Sequence, residues 1–542
     1  MDSQKSVVEE LVIQPGQSAV CFRPFDASGT FVLNVKNDEI RRLAVRGAGA
    51  TSLAQAFGVV IQIISILILA RLLMPADFGV VAMVTTFSLL FMNFGGNGFT
   101  EAVLQRKELD HLMATNLFWI NVGAGLVLTV AFAAAGSLMA WFYHNPRVVN
   151  VAVGLSPTIF LTSASVLHLA LLMRSMRFSV VYASQAAARL ISVVVSILLA
   201  WAGWGYWALV GGAVAQPLCE CIGAWIFCRW IPGRPRRVAG TGSMIQFALT
   251  VYGRFSFNYF ARNVDNLLVG WRFNAQALGF YKKAYDLFAM SSIMQSFTPV
   301  AVSALSRLRH DTQQYKRYLL SAMSIWAFLG MGVGGALTLC GKDLIRILLG
   351  PKWEPAGQIF TFFGPGFGIT FVYGIHGWIH LSIGRPGRWF RWAIIEFVVT
   401  GLLFVLVLPW GPVAVAMSWS FSLSILTLPA LWYAGRPIDL GLAPIVAAVW
   451  KFVLASLLSG FATASILGGF RFFAATSSFI EAVARLAAIC LLFGVLYMSA
   501  VTILHRSPKP LLQVLELLRE MTPWGRSSKV SLGGAEVVTA SQ

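Results

Sequence analysis

Residues 389–433 read WFRWAIIEFVVTGLLFVLVLPWGPVAVAMSWSFSLSILTLPALWY. These 45 residues carry two charges, Arg391 and Glu396, and the apolar run is interrupted at Pro409-Trp410-Gly411-Pro412. A helix needs roughly 20 apolar residues to cross a hydrocarbon core of about 30 Å, and in lipid its backbone groups must be satisfied inside the segment. Two spanning helices, at 389–408 and 411–433, are therefore expected, joined by a turn that proline and glycine impose.

The rest of the chain repeats this pattern. Of 542 residues, 57% are hydrophobic and 12% charged, with a mean hydropathy of +0.72. Soluble domains run about 45–50% apolar and about 25% charged, so a globular core is excluded in favour of an all-α polytopic membrane protein. Apolar stretches at 48–72, 78–98, 112–140, 148–172, 180–201, 205–228, 244–270, 278–304, 318–340, 357–383, 389–408, 411–433, 444–467 and 482–504 predict about 14 transmembrane helices. Residues 1–46 predict a weakly ordered cytosolic extension without the order of a cleavable signal peptide. The first apolar helix then serves as the insertion signal. The tail 506–542 contains one amphipathic stretch, Leu511 to Met521, expected on the membrane surface. Six cysteines, mostly in or beside apolar runs and without CxxC spacing, read as small buried hydrophobes.

The 41 Lys+Arg against 22 Asp+Glu give +19, which in a soluble protein would suggest nucleic acid. Here the position of the charges decides. With the N-terminus inside, the cytoplasmic loops hold sixteen Lys and Arg, including Arg106, Arg174, Arg177, Arg229, Arg307, Arg385 and Arg388. The opposite loops hold seven, or nine with Lys282 and Lys283. Basic residues mark cytoplasmic loops, so both termini are expected in the cytosol of a cell with this chain in its inner membrane, and no nucleic-acid partner is implied.

An internal repeat is legible in the connections. Asp77-Phe78-Gly79 corresponds to Leu278-Gly279-Phe280, Arg106 to Arg307, Trp119 to Trp326, Asn145-Pro146 to Gly350-Pro351, Arg174-x-x-Arg177 to Arg385-x-x-Arg388, and Trp204-Gly205 to Trp410-Gly411. The offsets, 200 to 211 residues, keep the same order along the chain. Two pseudo-symmetric six-helix lobes, 47–240 and 241–440, follow, with two further helices in 441–505. Six is even, so the lobes share one orientation about an axis along the membrane normal.

The loops, of at most about 17 residues, leave no room for an enzyme domain. Gly335 to Asp343 departs from a phosphate-cradling loop in spacing and in its final residue, and no Asp-x-Asp occurs. His376 and His380 share a helix face without an intervening Glu, which favours packing or hydrogen bonding to a neighbouring helix over metal ligation. No cofactor is implied. The informative polar groups lie at membrane depth. Arg254, Asn258, Arg262, Asp265 and Asn266 form one stripe along the seventh apolar stretch, and Arg189, Lys282, Lys283, Asp286 and Glu396 extend the set. Charge at that depth is costly and ordinarily faces a bundle interior or an aqueous cavity. One reading pairs Arg262 with Asp265 as structure. The other has Arg254, Arg262 and Arg189 attract an anion, with guanidinium suited to phosphate. Lys451 and Arg485 read as snorkelling or paired. Gly95-Gly96-Asn97-Gly98 and Gly364-Pro365-Gly366 mark places for bending or for close packing.

Several stretches together resemble a known family. Ala70-Arg71-Leu72-Leu73 through Pro75-x-Asp77-Phe78-Gly79, Gly205-Tyr206-Trp207-Ala208-Leu209-Val210, Arg262-Asn263-x-Asp265-Asn266, Ala277-Leu278-Gly279-x-Tyr281, and Gly377-Trp378 with Ser382-x-Gly384-Arg385 are similar to the polysaccharide transporter (Wzx-type oligosaccharide flippase) family, in its exopolysaccharide and colanic-acid exporter branch. The resemblance spans roughly 47–440. It implies the multidrug/oligosaccharidyl-lipid/polysaccharide flippase superfamily fold, with two lobes around a central cavity open alternately to each side. It also implies outward movement of undecaprenyl-diphosphate-linked repeat units. Arg254 and Arg262 would then hold the diphosphate or an acidic sugar, Asn258 and Asn266 the hydroxyls, and Asp265, Asp286 or Glu396 would couple a proton or sodium ion. Polysaccharide polymerase and export machinery are the implied partners, beside membrane lipids. A multidrug antiporter of the same superfamily is the alternative, disfavoured by the cationic stripe. A membrane polymerase or ligase should have a large external loop, which the sequence lacks.

Overall fold

The computed structural model describes residues 24–26, 28–31, 37–105, 109–236, 241–468, 479–507 and 512. It leaves out some side chains within the helices. Seventeen α-helices follow in order: α1 Asn37–Leu72, α2 Pro75–Gln105, α3 His111–Tyr143, α4 Arg147–Leu155, α5 Pro157–Arg174, α6 Phe178–Trp201, α7 Tyr206–Cys228, α8 Thr241–Arg272, α9 Ala275–Phe288, α10 Thr298–Arg307, α11 Thr312–Leu349, α12 Glu354–Tyr373, α13 Ile375–Ser382, α14 Pro386–Val407, α15 Pro412–Gly435, α16 Leu442–Gly468 and α17 Phe479–His505. Eleven helical stretches are long and apolar enough to cross a membrane. Among the described residues there is no strand, only two isolated bridges. The chain is a multi-pass, all-helical membrane protein.

Breaks occur where the sequence removes a backbone donor or a side chain. Pro157 begins α5 directly after α4, and the two together make one apolar stretch. The helix expected over 278–304 is instead α9, a tight 3-10 segment at Ala289–Phe297, and α10 with Pro299 in its first turn. Of the bending or close packing expected at Gly364-Pro365-Gly366, bending is absent there: α12 runs through Pro365, and the chain breaks at Gly374 before α13. Those glycines serve packing. A Cβ on Gly368 would sit 2.4 Å from the Gly330 carbonyl oxygen, and one on Gly364 2.7 Å from the Thr338 nitrogen, so α11 and α12 meet backbone to backbone. α2 likewise continues as helix through Gly95-Gly96-Asn97-Gly98. The amphipathic stretch Leu511 to Met521 lies outside the described residues except for Leu512.

The chain divides into two compact units, Met1–Leu72 with Val84–Phe260, and Leu73–Met83 with Ala261–Gln542. In the first, α6 and α7 approach closely where the Ser192 hydroxyl donates to the Gly212 carbonyl at 2.7 Å. Its core gathers Val103, Leu109, Met113, Leu117, Leu167 and Trp230. Residues 229–236 are pinned along α3: Asn116 bonds the backbone N–H and carbonyl of Arg236, and Trp119 Nε1–H donates to the Gly233 carbonyl at 2.9 Å. Within the extension expected to be weakly ordered, residues 24–26 and 28–31 form a closed turn. Asp26 accepts from the Thr30 N–H at 2.9 Å and from the Ser28 hydroxyl at 2.6 Å, and these two bonds hold its carboxyl below the usual carboxylate range. The turn docks on the start of α3. The His111 N–H donates to the Gly29 carbonyl at 2.8 Å, and the Phe31 N–H to Leu109 at 3.2 Å.

In the second unit the repeated motif folds onto itself. Asn274 caps α9 by accepting from the Ala277 N–H at 2.8 Å, and Asp77 accepts from the Met74 N–H at 3.1 Å at the start of α2. The two helix starts abut through Gly79 and Gly279. α17 is tied to α11 by the Arg485–Asp343 ion pair and by Tyr497, whose hydroxyl donates to the Phe328 carbonyl at 2.8 Å. Of the two expectations for Arg485, pairing is what the structure has.

Candidate functional site

The densest buried polar cluster bearing on the stripe lies in the second unit, where α8, α9 and α15 converge on Asp265. Its side chain is fully buried. One carboxylate oxygen accepts from the Tyr281 hydroxyl at 2.7 Å and from Trp419 Nε1–H at 2.9 Å; the other accepts from Asn266 Nδ2 at 3.3 Å. The donors come from three helices, so Asp265 is a junction as well as a charge. Aromatic rings enclose it: Tyr281 packs on Phe363, Phe363 stacks on Phe288 at 4.8 Å between centroids, and Phe288 and Tyr285 flank Trp419. Such a shell excludes water and strengthens every charge interaction inside it.

One turn further along α9, Asp286 is shared by two lysines. Lys282 pairs with it at i,i+4, and Lys283 approaches its other oxygen at 3.5 Å. Lys283 Nζ also lies 4.4 Å from the centre of the Phe78 ring, a cation–π contact. Lys282 is within electrostatic reach of Asp265. Two carboxylates and two ammonium groups thus balance in one region, Asp265 fully buried and the other three partly so.

The structure brings Asp265, Asn266 and Asp286 into this region of the second unit. Glu396 lies half-buried on α14 of the same unit. Arg189 belongs to the first unit, where its guanidinium packs against Gly58 and interacts electrostatically with Glu220, itself bonded to Gln216 at 3.0 Å. α8 is continuous through positions 254, 258 and 262, but the side chains of Arg254, Asn258 and Arg262 lie outside the described residues. His376 bonds the carbonyl of Tyr373 in the preceding turn, and both His380 ring nitrogens are buried without a protein partner among the described residues. Of the packing or hydrogen bonding to a neighbouring helix expected for the pair, packing is what the described residues have: His376 meets Trp389 of α14 edge-on at 6.5 Å, and His380 lies 5.8 Å from Tyr433 of α15 between ring centroids. The described residues contain no group of three His, Cys, Asp or Glu placed to hold a metal. In the first unit, a groove of about 590 Å³ on α6 and α7 is lined by apolar and small residues such as Ala183, Ala187, Ile191, Ile222 and Phe227, without a charge.

Sequence reasoning missed Trp419. Nothing in residues 412–435 distinguishes it from tryptophans that face lipid. Tyr281 was legible only as part of the Leu278-Gly279-x-Tyr281 motif.

Two solved membrane transporters share this fold. The lipid II flippase MurJ, in an inward closed conformation, superposes with a TM-score of 0.66 at 14% identity, over 84% of this chain and 98% of its own. An inward-facing multidrug resistance MATE family transporter of the MOP superfamily superposes at 0.55 and 12% identity, over 70% of this chain and 94% of its own. The polysaccharide biosynthesis protein family matches residues 68–358, more than half the chain, and the chain belongs to that family. Curated relatives include the lipopolysaccharide biosynthesis protein WzxC of Escherichia coli (strain K12), 22% identical over 58% of this chain and 65% of its own. The succinoglycan biosynthesis transport protein ExoT of Rhizobium meliloti (strain 1021) is 20% identical over 66% of this chain and 73% of its own. The chain thus spans about two thirds of the length of the first of these relatives.

Proposed function

We propose that this chain is a flippase, not an enzyme. It exports undecaprenyl-diphosphate-linked oligosaccharide repeat units across the inner membrane for exopolysaccharide or lipopolysaccharide biosynthesis, by alternating access. One observation carries the reading: a member of the polysaccharide biosynthesis family has, over most of its length, the fold of a lipid II flippase. A diphosphate bearing sugars cannot cross hydrocarbon unaided, whereas its lipid tail can stay in the bilayer. The protein's task is a polar path, and no covalent bond changes.

Fourteen spanning segments complete the proposed architecture, with α1, α8 and the α9-to-α10 stretch joining the eleven that meet the length and hydropathy requirement. Two six-helix lobes, 47–240 and 241–440, carry helices 441–505 as an addition, and both termini face the cytosol. The loop-charge asymmetry supports that orientation. Arg254 and Arg262 take the diphosphate through paired N–H donors, Asn258 and Asn266 take sugar hydroxyls, and Arg189 adds to the attraction for an anion. Among the coupling candidates Asp265, Asp286 and Glu396, the surroundings favour Asp265. Its direct partners are neutral donors, so it can exchange a proton without stranding a bonded cation, whereas neutral Asp286 would leave Lys282 and Lys283 unbalanced. A polysaccharide polymerase that consumes the exported units fits the direction of transport.

The test compares a deletion strain complemented with the wild-type chain and with Arg262→Ala at equal abundance. The wild type restores surface polymer. The variant loses at least tenfold and accumulates lipid-linked units on the cytosolic leaflet. Normal polymer with no accumulation in either the deletion or the variant strain refutes the reading. The MATE likeness keeps a multidrug antiporter as the second reading, favoured if deletion lowers drug tolerance and leaves polymer intact.

A further inference from the structure

The transport reading gives no role to the N-terminal extension, and the docked turn suggests one. We infer that residues 24–26 and 28–31 are a releasable strap: docked, they hold one end of the first unit shut, and they leave when that end opens during transport. The inference rests on the transport reading for its purpose, but not for its geometry.

The strap joins parts that belong to different helices. Its Gly29 carbonyl accepts the His111 N–H at the start of α3, whose preceding residue, Asp110, makes no side-chain cap. Phe31 pairs with Leu109 in the connection after α2, and the Arg174 guanidinium at the end of α5 lies 4.9 Å from the centre of the Phe31 ring. Phe25 meets His111 edge-on at 5.4 Å and Trp230, beyond α7, at 6.1 Å between centroids. The strap therefore touches the connection after α2, the start of α3, the end of α5 and the segment after α7.

Three features make the clasp detachable. Of the strap's side chains only Pro24 is buried; Phe25 and Phe31, partly buried, pack against the core of Val103, Leu109, Trp230 and Met244 rather than standing among its buried residues. The turn is closed on itself through Asp26, Ser28 and Thr30, so it can undock as a preformed piece. The bonds it makes to α3 use backbone groups at a helix start, which water can replace when the strap is away.

The geometry offers a lock. A Cβ on Gly29 would lie 3.6 Å from the His111 Cβ, inside the roughly 3.5–4.5 Å that a disulfide spans. In the full-length chain carrying Gly29→Cys and His111→Cys, with Cys21 and Cys490 replaced by serine, oxidation should form the disulfide. Surface polymer should then fall at least tenfold and return on reduction. Failure of the disulfide to form refutes the docking. A fully formed disulfide with unchanged polymer refutes release. Because Gly29 has φ +82°, a conformation cysteine tolerates poorly, a second measurement leaves the strap's own glycine intact. Spin labels on cysteines at exposed Ser28 and Ser179 of the purified full chain should give two distances, one docked and one longer. A single short distance overturns the inference whatever the cells do. If the wild-type chain itself fails to restore polymer to the deletion strain, the transport reading falls, and the spin-label pair still decides whether the strap lets go.

Discussion

Gly79 and Gly279, two hundred residues apart in the chain, meet backbone to backbone: a Cβ on Gly79 would sit 1.6 Å from the Ala275 carbonyl oxygen, and one on Gly279 1.9 Å from that of Pro75. Each lies in one copy of the repeated motif, and each copy fills the space the other leaves. Either Gly79→Ala or Gly279→Ala must push two helix starts apart, at a cost of about 1–3 kcal/mol or more. Gly401→Ala, whose added methyl meets nothing, should be neutral or slightly stabilising in the same helical context. Thermal unfolding of the detergent-purified chains, read by size-exclusion profile, checks the contrast; equal melting of Gly79→Ala and Gly401→Ala would contradict it.

Asp265 separates a structural from a coupling role. Asp265→Ala strands the buried Tyr281 hydroxyl and Trp419 N–H, at about 1–3 kcal/mol for each unpaired group, and should reduce the amount of folded protein. Asp265→Asn keeps an acceptor oxygen and should accumulate closer to wild type. If Asp265 couples ion movement, Asp265→Asn still loses polymer export at normal abundance; export that tracks abundance across both variants assigns the residue to structure.

The Arg485–Asp343 pair should be more damaging to halve than to remove. Leaving one charge buried costs about 3–5 kcal/mol, while two apolar residues of similar volume are often neutral. Arg485→Ala is therefore expected to lower the melting temperature of the purified chain more than the double variant Arg485→Met with Asp343→Leu. Equal losses for the two would show that α17 is held by packing alone.

His380, fully buried with neither ring nitrogen bonded to protein among the described residues, is the opposite case. Replacing an unsatisfied buried polar ring with an apolar side chain removes a desolvation cost. His380→Leu should be as stable as wild type or more so. A drop of several degrees in melting temperature would mean the imidazole is bonded in solution.

The all-helical membrane fold was legible because hydropathy and the demand for internal backbone bonding leave few alternatives: the stretch 389–433 reads as two helices from composition alone, and α14 and α15 are there. The 3-10 segment at Ala289–Phe297 was not legible, since local geometry of that kind depends on neighbours that hydropathy does not register. Gly364-Pro365-Gly366 left bending and close approach open, because glycine serves both, and only the facing Gly330 and Gly334 of α11 distinguish the two. Asp265 and Asn266 were found because charge is rare at that depth. Trp419 was not, because tryptophan there is common. Arg189 was singled out on the same rule as Asp265, yet its surroundings, Gly58 and Glu220, belong to the packing of the first unit.

Trp201 and Trp204, at the turn from α6 to α7, and Trp410, at the turn from α14 to α15, are more than half exposed. Indole rings favour the headgroup layer, where an apolar body and one N–H are both accommodated. Within each unit these rings act as a depth mark: sinking one into hydrocarbon costs its N–H a partner, and lifting it into water exposes its apolar body, so the turn resists sliding along the membrane normal in either direction.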